Sequence, residues 1–258
     1  MLTDELATLV QQGDPDRYAA TIAAPDAARA RLWPLYAFNL ELARAPWVTQ
    51  EPLIAEMRLQ FWADVLDDIA AGKPARGHQV AAPLAQVWQA ADLPVALGQG
   101  MVAARHWEIY RAPFADDAAF LAHIQATSGN LMWLAALALG APPTSEAPVR
   151  DMGFAAGLAS WLVAIPQLQA AGRIPLVDGR DSAVAGLARD GLAHLARARA
   201  QRCSVPASVL PVMLTGWQAG AVLQRAAQRP DLVAQGGLLP SEFRRRGALV
   251  LRSLSGRW

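Results

Sequence analysis

The 258-residue chain reads as an all-α protein folded as a single helical domain. Three observations predict this. Apolar residues recur at helical spacing almost everywhere, and no convincing period-two alternation interrupts them. Alanine and leucine dominate, and both favour helix intrinsically. Proline and glycine punctuate the chain at intervals of a helix length.

A short first helix is expected from Leu2 to Gln12, stopped by Gly13-Asp14-Pro15. The next begins near Asp26 and runs to about Arg44, with Pro34 expected to kink or divide it. Thr49 is a fitting N-cap, with Glu51 and Pro52 in the first turn, for a helix ending at Gly72. That helix sets Leu59, Trp62, Leu66 and Ile69 on one stripe. Further helices are expected over about 79–91, 94–111, 117–139, 146–170, 182–203, 206–228 and 241–255. Pro142-Pro143, Pro175 and Pro206 fall in the joints. No joint reads as a long flexible linker, so residues 1–258 are expected to form one domain.

Composition narrows the function classes. Hydrophobic residues make up 53% of the chain and charged residues 17%, which suits a large buried core. The single cysteine, Cys203, excludes an internal disulfide and a cysteine-based zinc cluster. The start of the chain is acidic and lacks the basic and apolar regions of a signal peptide. The longest nearly apolar stretch, Gly153 to Pro166, has 14 residues, against about 20 for a spanning helix. The expectation is a cytoplasmic protein, at most peripheral on an inner membrane.

Charge is unevenly placed. Residues 1–172 carry 10 Lys and Arg against 17 Asp and Glu, and residues 173–258 carry 13 against 5. Such asymmetry suits orientation toward an anionic surface or a partner, or simply two solvated faces of opposite sign. The stretch Ser241 to Trp258 is basic and amphipathic, with Phe243, Val250, Leu254 and Trp258 on one helical face. Arg244, Arg245, Arg246 and Trp258 are therefore candidate contacts to an anionic membrane surface or a partner. The same stretch is equally readable as the last helix packing on the core. Nucleic-acid binding is not expected, because no recognised module interleaves the basic residues with exposed aromatics.

Few constellations carry chemistry. Asp64, Asp67 and Asp68 read as a solvated acidic helix end rather than a metal site, since no opposing cluster exists. His78, His106, His123 and His194 are dispersed and form no metal-ligand signature. Ser128-Gly129 lacks the preceding glycine and strand of a nucleophile elbow. No cofactor, metal or catalytic residue is called for.

Three segments in order resemble the squalene/phytoene synthase family of head-to-head prenyltransferases. They are Arg31-Leu-Trp-Pro-Leu-Tyr-Ala-Phe-Asn39 with Glu41-Leu-Ala-Arg44, then Glu51-Pro52 with Met57-Arg-Leu-Gln-Phe-Trp-Ala-Asp-Val-Leu66, then Thr127-Ser-Gly129 through to Gly172-Arg-Ile174. The resemblance implies an isoprenoid-synthase-like bundle whose cavity is lined by Tyr36, Asn39, Ala43, Trp62, Ser128, Ser160, Trp161 and Ala164. It also implies that Ser128-Gly129 is a helix break facing that cavity. An active member needs two aspartate-rich helical motifs to hold two diphosphates through magnesium. Here the first motif's aspartate positions carry Ala43, Arg44 and Trp47, and the second's carry Ala164 and Leu168. No carboxylate lies between Asp151 and Asp178.

The resemblance therefore implies the fold, while these departures put the synthase activity in doubt and leave an active prenyltransferase as the third and least favoured reading. The segment Tyr36 to Arg44 followed by Glu51-Pro52 looks most like the branch that includes an assembly factor of mitochondrial respiratory complex I. A respiratory-complex subunit is the partner this implies, and the Ala- and Arg-rich composition fits a bacterial relative. The alternative is a carrier of an apolar lipid or isoprenoid in the remnant cavity. Bulky Trp33, Trp47, Trp62, Trp133 and Trp161 either pack the core or fill the old substrate tunnel.

Overall fold

The computed structural model describes residues 2–49, 51–110 and 112–258, and no strand occurs among them. The helices are α1 (Leu2–Gly13), α2 (Pro15–Ile22), α3 (Asp26–Arg44), α4 (Pro52–Ala70), α5 (Ala81–Ala90), α6 (Val95–Tyr110), α7 (Asp117–Ile124) and α8 (Asn130–Ala138). They continue as α9 (Glu146–Ala170), α10 (Asp181–Ala200), α11 (Leu210–Leu214), α12 (Ala219–Gln228), α13 (Asp231–Ala234) and α14 (Glu242–Ser255). The end at residue 111 expected for the helix over 94–111, observed as α6, lies outside the described residues.

Two helices form the centre because their sequences are apolar around most of the circumference. In α3, ten residues between Leu32 and Leu42 are buried, and α9 buries residues from Pro148 to Leu168. Helix α9 packs against α8, α10 and α12, while α1 and α8 pack on α3 and α4 lies along α6. One hydrophobic cluster runs from Leu6 to Trp258. Among the described residues no helix is long and apolar enough to cross a membrane.

Several boundaries differ from expectation for local reasons. Helix α3 runs through Pro34 without dividing. Helix α4 starts at Pro52, whose fixed φ suits the first helical position, so Glu51 takes the N-cap place expected of Thr49. The Thr49 hydroxyl instead accepts a hydrogen bond from the Glu51 N–H at 3.0 Å. Gly13-Asp14-Pro15 ends one helix and also begins another: Asp14 Oδ1 accepts from the Arg17 N–H at 2.9 Å and caps α2. The single helix expected over 206–228 breaks between Leu214 and Ala219. There Gly216 passes so close to Met152 that a Cβ would lie 2.6 Å from its sulfur.

Candidate functional site

A cavity of about 310 Å³ opens between α2, α3, α6, the α7–α8 junction, α9 and α12. Its wall mixes small residues of α9, among them Gly153, Gly157 and Ser160, with polar groups from several helices. Tyr36, Asn39, Ser128 and Ser160 meet on this wall. The other expected residues lie off it. Trp62 packs edge-on to Phe38 and Phe61 in the core, and Trp161 joins a cluster of Trp107, Phe114, Phe120 and His123. Ala43 and Ala164 are half-buried elsewhere. Sequence reasoning missed Arg17, Arg105 and Thr215, which come from segments without a motif.

Ser128 reaches the cavity because the chain between α7 and α8 widens rather than breaks. Residues Gln125–Gly129 form one π-helical turn, the kind of local bulge often found at functional sites. The Thr127 hydroxyl donates to the His123 carbonyl at 2.7 Å. The turn lies directly on α9: a Cβ on Gly153 would sit 3.0 Å from Gly129 Cα, and one on Gly157 would sit 2.5 Å from Ser128 Cβ. The two glycines set the close approach.

Tyr36 is buried from α3, and its hydroxyl makes no hydrogen bond of good geometry although the Thr21 and Thr215 side chains are near. Burial is the main reason its ionisation is pushed well above the ordinary phenol range. Arg17 lies 5.2 Å from the Tyr36 ring centre.

A polar cluster extends from Asn39. Arg105 Nη1 donates to Glu108 Oε1 at 2.5 Å, and its other terminal nitrogen lies 3.5 Å from Asn39 Oδ1. Trp47 Nε1 donates to Glu108 Oε2 at 3.3 Å. Gly172, at φ +74°, ends α9 in a left-handed turn. The turn sends Arg173 inward, where it donates to the Glu108 carbonyl and lies 4.7 Å from the Trp47 ring centre. Glu108 and Arg173 are both buried.

The residues present do not fit the magnesium of an active synthase. Glu108 already accepts from Arg105 and Trp47, and two guanidinium groups stand beside it. Among the described residues no three His, Cys, Asp or Glu side chains are grouped to hold a metal ion. The Asp64 and Asp68 carboxylates accept from Arg76, and Asp68 also pairs with Lys73 at 3.1 Å. The hydrogen bonds from Arg76 and then Lys73 hold Asp68 below the usual carboxylate range. Asp67 accepts from Gln99 at 2.8 Å.

His123 is buried against Trp107, Phe114 and Trp161. Burial first, and then the nearby Arg105 charge, push its pKa down to about 4. The ring is therefore neutral near pH 7.

The C-terminal helix divides its basic residues. Arg245 faces the body, pairing with Asp16 and donating to Gln218 Oε1 at 2.8 Å. Arg244 and Arg246 are exposed, and Arg246 pairs with Glu242. Trp258 does not share the outward face of Phe243 and Leu254. It is 4% exposed, beneath the Arg202 guanidinium, and its main-chain oxygen accepts from Arg199 at 3.0 Å. The reason is that α14 ends at Gly256, whose left-handed turn carries the chain back to the core.

Helices wrapped about a cavity of this form define the isoprenoid-synthase architecture. A dehydrosqualene synthase superposes with a TM-score of 0.69 at 14% identity, covering 98% of this chain and 95% of its own. The squalene synthase HpnC from Alicyclobacillus acidocaldarius gives 0.75 at 13% identity, covering 88% and 94%. The sequence profile of the squalene/phytoene synthase family matches residues 10–177, and the chain belongs to that family. It is also 35% identical over 83 residues to NADH dehydrogenase (ubiquinone) complex I, assembly factor 6, of Bos taurus, and 34% identical over 83 residues to that of Homo sapiens. The Drosophila melanogaster homolog is 41% identical over 61 residues. These matches span 32%, 32% and 23% of this chain, and less than a quarter of each relative's length.

Proposed function

We propose that this protein is a non-catalytic member of the squalene/phytoene synthase family that assists assembly of a respiratory NADH:quinone oxidoreductase, at the cytoplasmic surface of the membrane carrying that complex. The observation that carries the reading is the partial identity with complex I assembly factor 6. The Glu108 cluster supports it, because this buried carboxylate on the cluster beside Asn39 is already paired with the Arg105 guanidinium, and the Arg173 guanidinium is held at the main-chain carbonyl of the same residue.

A docking face is available for such a client. Trp47, Val48, Leu53, Ile54, Met57 and Tyr110 are all exposed around the start of α4, with Glu51 and Glu56 among them. Patches of this kind, apolar with a polar border, mark protein contacts. Affinity purification from the native cell should recover respiratory subunits with the wild-type protein and lose them with Leu53→Glu/Met57→Glu. Chelator-sensitive release of diphosphate from farnesyl diphosphate, or a purification free of respiratory subunits, would overturn the reading.

A second reading, a carrier of an apolar lipid or isoprenoid, is favoured by the 310 Å³ cavity and the unengaged Tyr36 hydroxyl on its wall. Mass spectrometry of lipids extracted from the purified protein tests it. An extract without a stoichiometric lipid would remove it.

A further inference from the structure

We infer that the outward face of α14 is a docking surface for an anionic lipid bilayer. The helix has no buried residue, and its two sides are chemically distinct. Ala248 and Leu249 pack on Ala20, Leu214 and Trp217, and Arg245 is tied to Asp16 and Gln218, so this side is committed to the protein. On the other side Phe243, Val250, Leu251 and Leu254 are 88%, 56%, 70% and 82% exposed. With Gly247 they follow each other at steps of three and four residues, which makes one stripe along the helix. The stripe is roughly 16 Å long at the usual rise per residue.

What flanks the stripe selects the occupant. Exposed Arg244 lies along one edge, and exposed Arg246 lies along the other. Residues 232–258 contain five arginines and one acid, Glu242, which is already paired with Arg246. More positive charge stands behind them. Arg199, Arg202 and Arg252 are close enough that burial, then Arg252 and Arg202, make Arg199 easier to deprotonate. An apolar stripe without hydrogen-bonding groups, bordered by cations on both sides, matches the layering of an anionic interface. Phe and Leu enter the acyl boundary while Arg remains among the phosphates. A protein groove of the same shape would have to offer a carboxylate in a fixed position to Arg244 and leave the Arg246–Glu242 pair room on the opposite edge.

The surface is separate from the α4 patch, so loss of lipid binding and loss of the client are distinguishable results. The test is flotation of the full-length protein with vesicles of phosphatidylethanolamine and phosphatidylglycerol, and with vesicles of phosphatidylcholine alone. Wild-type protein is expected to float with the anionic vesicles at low salt, to stay behind with the neutral ones, and to be released by added salt. Arg244→Gln/Arg246→Gln should weaken the anionic binding roughly thirtyfold. Phe243→Ser/Leu254→Ser should weaken it by about a hundredfold or more. All four side chains are exposed, so circular dichroism and the melting midpoint should match wild type in both variants. Wild-type protein that ignores anionic vesicles, including one whose α14 variants instead lose an acidic protein partner, overturns the inference. So does equal binding to both vesicle types, or unchanged binding by both variants.

Discussion

Arg105 acts on two buried groups, Glu108 three residues further along α6 and His123 on α7, in opposite ways. Glu108 depends on it. Glu108→Ala would take the carboxylate away from the Arg105 guanidinium, and breaking a buried pair from one side costs about 3–5 kcal/mol. The melting midpoint should fall by roughly 10 °C for a chain of this size. His123 is opposed by it. With a folded pKa near 4 against an ordinary value of 6.5, the unfolded chain binds more protons between those limits. Stability should therefore be full above about pH 6.5 and decline as the pH falls toward 4, by on the order of 3 kcal/mol. His123→Phe keeps the aromatic packing and should flatten that part of the midpoint-versus-pH curve. Neither effect was legible in the sequence, because Arg105, Glu108 and His123 belong to no motif, the burial of the Arg105–Glu108 pair depends on packing, and His123 reaches it only when α7 converges on α6. Tyr36 and Asn39 were legible because they sit in the matched segment of α3.

At the scale of elements, periodicity located the helices well and missed what depends on close approach. Gly13-Asp14-Pro15 was read as a stop, though Asp14 and Pro15 are equally a helix start, and α2 was lost. The interval 117–139 was read as one helix. Its middle is instead a π turn that lies directly on Gly153 and Gly157 of α9, with Ser128 on the cavity wall. Gly157→Ala tests that contact: its methyl group would collide with Ser128 Cβ, and overpacking of this kind costs about 1–3 kcal/mol. Adding Ser128→Gly should recover much of the lost midpoint. If the single variant melts like wild type, the π turn is not held by α9. Trp258 was misplaced for a related reason, since helical spacing was carried past Gly256, where the backbone leaves the helix.

For the whole molecule, the fold and the family followed from order and spacing of three segments, whereas the arginines gathered around Glu108 and Trp47 emerge only from the packing of the helices. Magnesium with farnesyl diphosphate should leave the melting midpoint unchanged. A ligand at one hundred times its dissociation constant would add about 2.7 kcal/mol, so a rise of several degrees would reveal an intact diphosphate site. The opposite charges of residues 1–172 and 173–258 also separate the two exposed apolar surfaces. The α4 patch lies in the acidic part and α14 in the basic part.

Helix α14 is fastened at both ends, by Arg245 to Asp16 and Gln218 near its start and by Trp258 among Arg199 and Arg202 just beyond its end. It is a fixed keel rather than a hinged arm. Asp16, Gln218 and Leu239 belong to the cavity wall as well. Any surface that seats the keel therefore sets the heading of the entire body and holds the cavity entrance at a constant tilt, leaving rotation about the surface normal as its main remaining freedom.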